Sequence, residues 1–454
     1  MFSPPAGRPV QATGAAVVTV HAMSVTDRSH IEVTPRDQTH EAWLPPDHPM
    51  HRPRHGRRQL IALCCAGLFF LTPTLAHSVG IHAARFENRP LATFGDPRTG
   101  WAWLAGLPAW AADHLPFRDS AVRASEVVSR SVFDEPAALP GQRPASGSVG
   151  PALAPTPAPP IDAFPAVIEG RDGWLYLGAD VSGACVPSRS LTDTLVSLRS
   201  LRAAVEASGR QFVLVVPPDK TTMVPEHLPV DYLGKDCASR ARSEFWPRVV
   251  AEAGAIDLRP ALADIAQRKG SPVYYPADTH WSQEGGLAMT YALADRVLPG
   301  VTRTWQGAPS GSIPWPDDIP PLLGRSGEHE IATYSLATAA GERDRTRSIA
   351  SDFRVPLRLT SAPAAGTVTV PVRMIADSFT QFASRYLAAA FTDITIVHPE
   401  TAAAAPETAA ELLAGGNVVV LELAERNLLS GTTPILLPPF IDELTTHLAR
   451  HPPP

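Results

Sequence analysis

The chain has 454 residues, a formal net charge of −6 and 44% hydrophobic residues. That length and apolar content allow one large core plus appendages. Beyond the first sixty residues there is no dense basic run, which argues against nucleic acid as the main partner.

Residues 1–56 are polar, rich in His, Pro and Thr, and lack periodicity. They are expected to form a disordered cytoplasmic tail. Residues 60–76, LIALCCAGLFFLTPTLA, are uncharged, and Arg52, Arg54, Arg57 and Arg58 crowd their N-terminal side. This run and its flanks predict a single transmembrane anchor over 59–81, with the bulk of the chain outside the cytoplasm. A cleaved signal peptide is the rival reading, because Thr74-Leu75-Ala76 resembles a small-residue cleavage site.

Residues 82–160 read as a juxtamembrane segment and linker. Within them ADHLPFRDSAVRASEVVSRSVF (112–133) carries helical spacing, and GQRPASGSVGPALAPTPAPP (141–160) carries no pattern. From 161 to 450 strands and helices alternate. VIEGRDGWLYLGAD (167–180) reads as a strand pair around Asp172-Gly173. QFVLVVPP (211–218), AIDLR (255–259), PVYY (272–275), TVTVPVRMIAD (367–377), DITIVH (393–398) and NVVVLELA (417–424) read as strands. Helical segments at 191–209, 239–253, 260–270, 283–298, 378–391, 407–415 and 440–450 separate them. The expected fold class is α/β, a mostly parallel sheet flanked by helices. Residues 300–366 are Pro/Gly/Ser/Thr-rich and read as a long insertion over one edge. Cys185 and Cys237 are available for a disulfide if this region lies outside the cytoplasm; two free buried thiols are the alternative.

Ligands of parallel α/β sheets bind beyond the carboxyl ends of the strands. PVYY runs into Pro276-Ala277-Asp278-Thr279-His280, and RMIA runs into Asp377-Ser378. Asp278 and His280, two apart in a turn, can meet, the carboxylate fixing the tautomer and leaving Nε2 free as a base. Ser378 sits at a strand-to-helix corner, where backbone N–H groups could face an oxyanion. Each feature also has a plain reading: an Asp-Ser pair as a helix N-cap, and Asp-X-His as a solvated loop or metal half-site.

VIEGRDGWLYLGAD, VLVVPPDKTTMVPEHLP (213–229), YYPADTHWSQEGG and MIADSFTQF stand in that order, with ADHLPFRD ahead and VVVLELAERNL behind. Together they resemble the AlgJ/AlgX-type alginate O-acetyltransferases, exported proteins with an SGNH-hydrolase-like domain. The resemblance implies a triad of Asp278, His280 and Ser378. Ala376 stands where the family motif usually has Gly. The implied reaction carries an acetyl group through an acetyl-serine to hydroxyls of a cell-surface or exported polysaccharide. It calls for no cofactor and no metal, and it implies a multi-pass membrane acyltransferase as acetyl donor. Lys220, Tyr275, Trp281 and Arg385 are the candidates for substrate binding, and Glu422 with Arg426 for a structural ion pair. An extracytoplasmic acetyl esterase and a non-catalytic glycan-binding subunit of an export complex are the alternatives.

Overall fold

A computed structural model of the chain describes residues 57–80, 94–116, 118–133 and 160–454. The expected tail over 1–56 and most of the Pro-rich linker lie outside these residues. The chain divides into two units, 1–75 and 76–454.

The apolar run near the start does form a helix, Arg57–Ser78. Yet among the described residues no helix is long and apolar enough to cross a membrane. The expected anchor over 59–81 is therefore not shown by this helix. Thr72-Pro73-Thr74 interrupts the run, so its unbroken apolar part is only Leu60–Leu71.

Among the described residues of the second unit ten strands occur: β1 Val167–Glu169, β2 Leu175–Leu177, β3 Gln211–Val216, β4 Ile256–Asp257, β5 Gln306–Pro316, β6 Glu328–Ala337, β7 Leu357–Thr360, β8 Val372–Ala376, β9 Asp393–Val397 and β10 Val418–Glu422. Six of them make the central sheet, in the order β4-β3-β10-β8-β9-β7. Its pairings are parallel except at the edge, where β7 runs antiparallel to β9. Every side chain of β8 and β10 is buried, as expected for strands covered on both faces. Helices Leu191–Ala207, Pro406–Ala414 and Pro438–Arg450 pack together as one group, and Gln283–Val297 packs with Ser384–Ala390 as another.

β1 and β2 form the expected hairpin, with Val167 opposite Leu177. Asp172 and Gly173 take left-handed backbone in its turn, which an Asp-Gly pair tolerates. Cys185 and Cys237 are joined by a disulfide, with their Cα atoms 5.3 Å apart. It ties helix Ala179–Cys185 to helix Lys235–Ala253.

Two expectations differ from the structure. PVYY is not a sheet strand; Tyr274 makes only an isolated bridge to Trp281. The run is apolar, but it lies past the end of β4 and turns back on itself within the DTHW loop. Residues 300–366 are also more ordered than their composition suggests. They supply the long β5–β6 hairpin and the edge strand β7. Prolines in β5 sit on an exposed strand with a single partner, and the register shifts between Pro309 and Gly311, the edge and bulge positions where proline is tolerated.

Candidate active site

Ser378 follows β8, the strand between β10 and β9 near the middle of the sheet. Asp377 caps the short helix that begins there: its Oδ1 accepts from Phe379 N–H at 3.1 Å. Its Oδ2 accepts from Ala424 N–H at 2.7 Å and from the Asn427 amide at 2.8 Å. Asp377 is thus an N-cap, and it locks the end of β8 to the end of β10. The Phe379 N–H, one expected to face an oxyanion, is engaged by this cap. Ala376, fully buried in β8, fits without disturbing the corner.

His280 reaches this corner from 98 positions away in sequence, and its Nε2 lies 2.8 Å from Ser378 Oγ. Its Nδ1 lies 2.8 Å from Asp278 Oδ1, and the same oxygen accepts from the His280 backbone N–H at 2.8 Å. Two bonds to one carboxylate oxygen hold the ring with Nδ1 protonated and Nε2 facing the serine. The ring edge meets Phe379 at 5.0 Å between centroids and stacks on Phe382 at 5.4 Å, which fixes its plane. Burial alone would push the imidazole pKa down, but the charge and hydrogen bond of Asp278, helped by Asp318, outweigh it and the net direction is up. Asp278 shifts the opposite way: burial raises it, while His280 and Lys220 pull it below the usual carboxylate range.

The DTHW loop is held from three sides. Lys220, buried, donates to the backbone carbonyls of Tyr275 at 3.1 Å, Pro276 at 3.1 Å and Asp278 at 2.7 Å. Burial pushes its ammonium down to about 8 despite the nearby Asp318 and Asp278 carboxylates. Trp281, fully buried, donates its indole N–H to the Phe379 carbonyl at 3.1 Å and so ties the histidine loop to the serine turn. At Gly286 an added Cβ would meet the Phe382 carbonyl oxygen at 2.2 Å. The helix that follows the loop therefore touches the serine turn backbone to backbone.

Ser378 opens on a cleft of about 450 Å³ whose walls include Leu177, His398, Glu400, Arg426, Asn427 and Thr432. None of Lys220, Tyr275, Trp281 and Arg385 lines it. Tyr275 packs its ring against His329, 4.2 Å between centroids, and Arg385 lies beside the Tyr386 ring at 5.8 Å. Lys220 and Trp281 position the loop rather than face the cleft. Glu422 and Arg426 do not pair with each other. Glu422 Oε2 accepts from Asp377 N–H at 2.9 Å and from the Thr380 hydroxyl at 2.8 Å. Arg426 donates to Asp219 at 2.9 Å and lies over the Phe379 ring at 5.2 Å.

One residue of the site was not among the sequence candidates. Asp318, from the connection between β5 and β6, has Oδ2 3.4 Å from His280 Nδ1. Asp278, His280 and Asp318 each place one ligand-type atom within 4.8 Å of the others. The distant third acid that a metal half-site would need is therefore present. However, a proton on Nδ1 shared with Asp278 leaves no lone pair there for a cation.

Residues 167–311 match the family described as SGNH hydrolase-like domain, acetyltransferase AlgX. Curated relatives agree. The probable alginate O-acetylase AlgJ of Pseudomonas fluorescens is 28% identical over 135 residues, 29% of this chain and 34% of that protein. Its counterpart in Pseudomonas syringae pv. tomato is 30% identical over 126 residues, 27% of this chain and 30% of that protein. This stretch is of the AlgJ/AlgX type. The chain spans about a third of the length of these curated relatives. The AlgJ/AlgX-type stretch contains Asp278 and His280 but ends before Asp318 and Ser378. Among solved structures, the O-acetyltransferase domain of Pseudomonas putida AlgJ aligns with a TM-score of 0.40 and 19% identity, over 62% of this chain and 99% of that one. Pseudomonas aeruginosa AlgX aligns with a TM-score of 0.39 and 13% identity, over 60% of this chain and 67% of that one.

Proposed function

We propose that the chain is an O-acetyltransferase in which Ser378 takes an acetyl group from a donor and passes it to a hydroxyl of a polysaccharide. The observation that carries this reading is the unbroken relay Asp278–His280–Ser378, with 2.8 Å at each link. His280 Nε2 accepts the Ser378 proton as Oγ attacks the acetyl carbonyl. Asp278 stabilises the imidazolium, which then returns the proton to the leaving group. In the second half His280 takes the proton of the sugar hydroxyl, and the oxygen of that hydroxyl displaces Ser378. Similarity to AlgJ-type proteins supports acetyl transfer to a polysaccharide rather than an unrelated acyl chemistry.

The Cys185–Cys237 disulfide supports a location outside the cytoplasm, since such bonds persist in oxidising compartments. A membrane-tethered position at the Arg57–Ser78 helix and a multi-pass acyltransferase supplying acetyl groups belong to the same proposal. The esterase alternative shares the relay and differs only in the acceptor. The fate of the acetyl group during turnover of 4-nitrophenyl acetate, assayed as acetylated oligosaccharide and free acetate with and without soluble oligosaccharide, separates the two. Transfer predicts acetylated oligosaccharide exceeding free acetate; acetate as the sole product at saturating acceptor contradicts it.

A further inference from the structure

We propose that Asp318 is a second carboxylate behind His280, a positioning and charge-stabilising residue that the β5–β6 hairpin delivers to the relay. The inference rests on the proposed relay and concerns a residue outside the matched stretch.

The placement is built rather than incidental. Asp318 Oδ1 accepts from the Thr279 backbone N–H at 2.7 Å, and Oδ2 accepts from the Thr279 hydroxyl. The next residue, Ile319, is fully buried with Val167, Leu175 and Leu323, and its N–H donates to the Ala277 carbonyl at 3.3 Å. On the other side Asp317 is bound by His329 at 2.6 Å, and its N–H donates to the Gly327 carbonyl at 3.0 Å. At Gly327 a Cβ would lie 2.2 Å from the Asp317 carboxylate. The connection is thus fastened on both sides of Asp318, and the carboxylate is fastened to the residue between Asp278 and His280. Its side chain is a quarter exposed, 25%, against 0% for Asp278; burial and the Asp278 charge raise its pKa, while His280 and the two Thr279 hydrogen bonds oppose that rise.

The charges around His280 decide what this carboxylate does. Asp278 faces Nδ1 from the same loop. Arg426, beyond β10, opposes a positive imidazole. Lys220, beyond β3, lies against the Asp278 carbonyl. Asp317 is occupied by His329. Phe379 and Phe382 close the remaining sides without charge. Asp318 is therefore the second negative group able to stabilise the imidazolium that forms when Ser378 gives up its proton. It offsets the opposing field of Arg426.

The sign of the effect is fixed. His280 acts as a base only when neutral, so turnover falls as pH drops through its pKa. A nearby carboxylate raises that pKa, and its removal moves the acid limb to lower pH. The test is the pH profile of 4-nitrophenyl acetate turnover by the full chain, in wild type, Asp318→Asn, Asp318→Glu and Ser378→Ala. Asp318→Asn keeps the shape and is expected to move the acid limb down by about one pH unit. Asp318→Glu restores it. Thr279→Ala, which frees one carboxylate oxygen without removing the charge, is expected to shift it less and in the same direction. A limb that stays put in a folded Asp318→Asn, while turnover still depends on Ser378, overturns the role of Asp318 alone. Turnover that survives Ser378→Ala overturns the relay as well. Loss of turnover on EDTA treatment, restored by a divalent cation, would make the trio a cation site and overturn the inference.

Discussion

Glu422 ends β10 with its carboxyl fully buried, accepting the Asp377 N–H and the Thr380 hydroxyl on one oxygen. Burial first, and then the neighbouring Asp377, push this carboxyl well above its ordinary value of 4.5. The folded state therefore keeps a proton that the unfolded chain loses above 4.5. Across that window the unfolded state binds fewer protons, so stability declines as pH rises. Glutamine offers the same acceptor and does not titrate. Glu422→Gln is therefore expected to gain in melting temperature relative to wild type as pH goes from about 5 to about 9. Parallel melting curves across that range would mean that the carboxyl is already ionised in the fold. The sequence offered Glu422 as an ion-pair partner of Arg426, because NVVVLELA reads as a strand ending close to that arginine. Only the pairing of Glu422 with Ala376 across β10 and β8 reveals that this position is interior. Lys220 was misleading for a related reason. A lone lysine after a strand looks available to substrate, whereas three carbonyls of the DTHW loop use its three donors.

At the scale of elements, two turns brought together from distant sequence make the relay, and helix Gln283–Val297 holds them in register. Its Gly285 and Gly286 allow close approach: a Cβ at 285 would meet Trp281 at 2.6 Å, and one at 286 the Phe382 backbone. At 285 the obstacle is the Cβ and Cγ of the fully buried Trp281; at 286 it is the 382–383 backbone, which cannot yield without moving the serine turn. Gly286→Ala is thus expected to lower ester turnover about tenfold or more and to cost about 1–3 kcal/mol of stability. Gly106→Ala, with nothing within 4 Å of the new methyl, serves as control. Unchanged turnover in a normally stable Gly286→Ala would show that the two turns are not rigidly coupled. β3, β8, β9 and β10 were legible because their residues are apolar on both faces, which few alternatives satisfy. β5 and β6 were not. The Pro-, Gly- and Ser-bearing residues of β5 are exposed almost throughout, β6 buries only Ile331, Thr333 and Leu336, and their pairing with each other supplies the order. Asp318 inherits that opacity, since its place depends on how the hairpin end meets Ala277 and Thr279.

Over the whole molecule, the parallel sheet converges the ends of β3, β8 and β10 on one rim, and the relay, the buried Asp219–Arg426 pair and the cleft all lie there. Arrangement of the rim follows from alternation of strands and helices, which the sequence displayed from residue 161 onward. The order Asp278, His280, Ser378 along the chain was equally readable from the DTHW and DSF motifs; their convergence needed the fold. The Cys185–Cys237 bond, left open by the sequence, joins helices Ala179–Cys185 and Lys235–Ala253, and such bonds persist in oxidising compartments. The most direct measurement of the central claim is capture of the covalent intermediate. The full chain is mixed briefly with 4-nitrophenyl acetate, quenched in acid, digested and mapped by mass spectrometry. The relay predicts one acetyl group on the peptide carrying Ser378, absent in His280→Ala. Turnover at the normal rate with no acetyl on Ser378 at any time, or the acetyl on another side chain that accounts for that turnover, would contradict it.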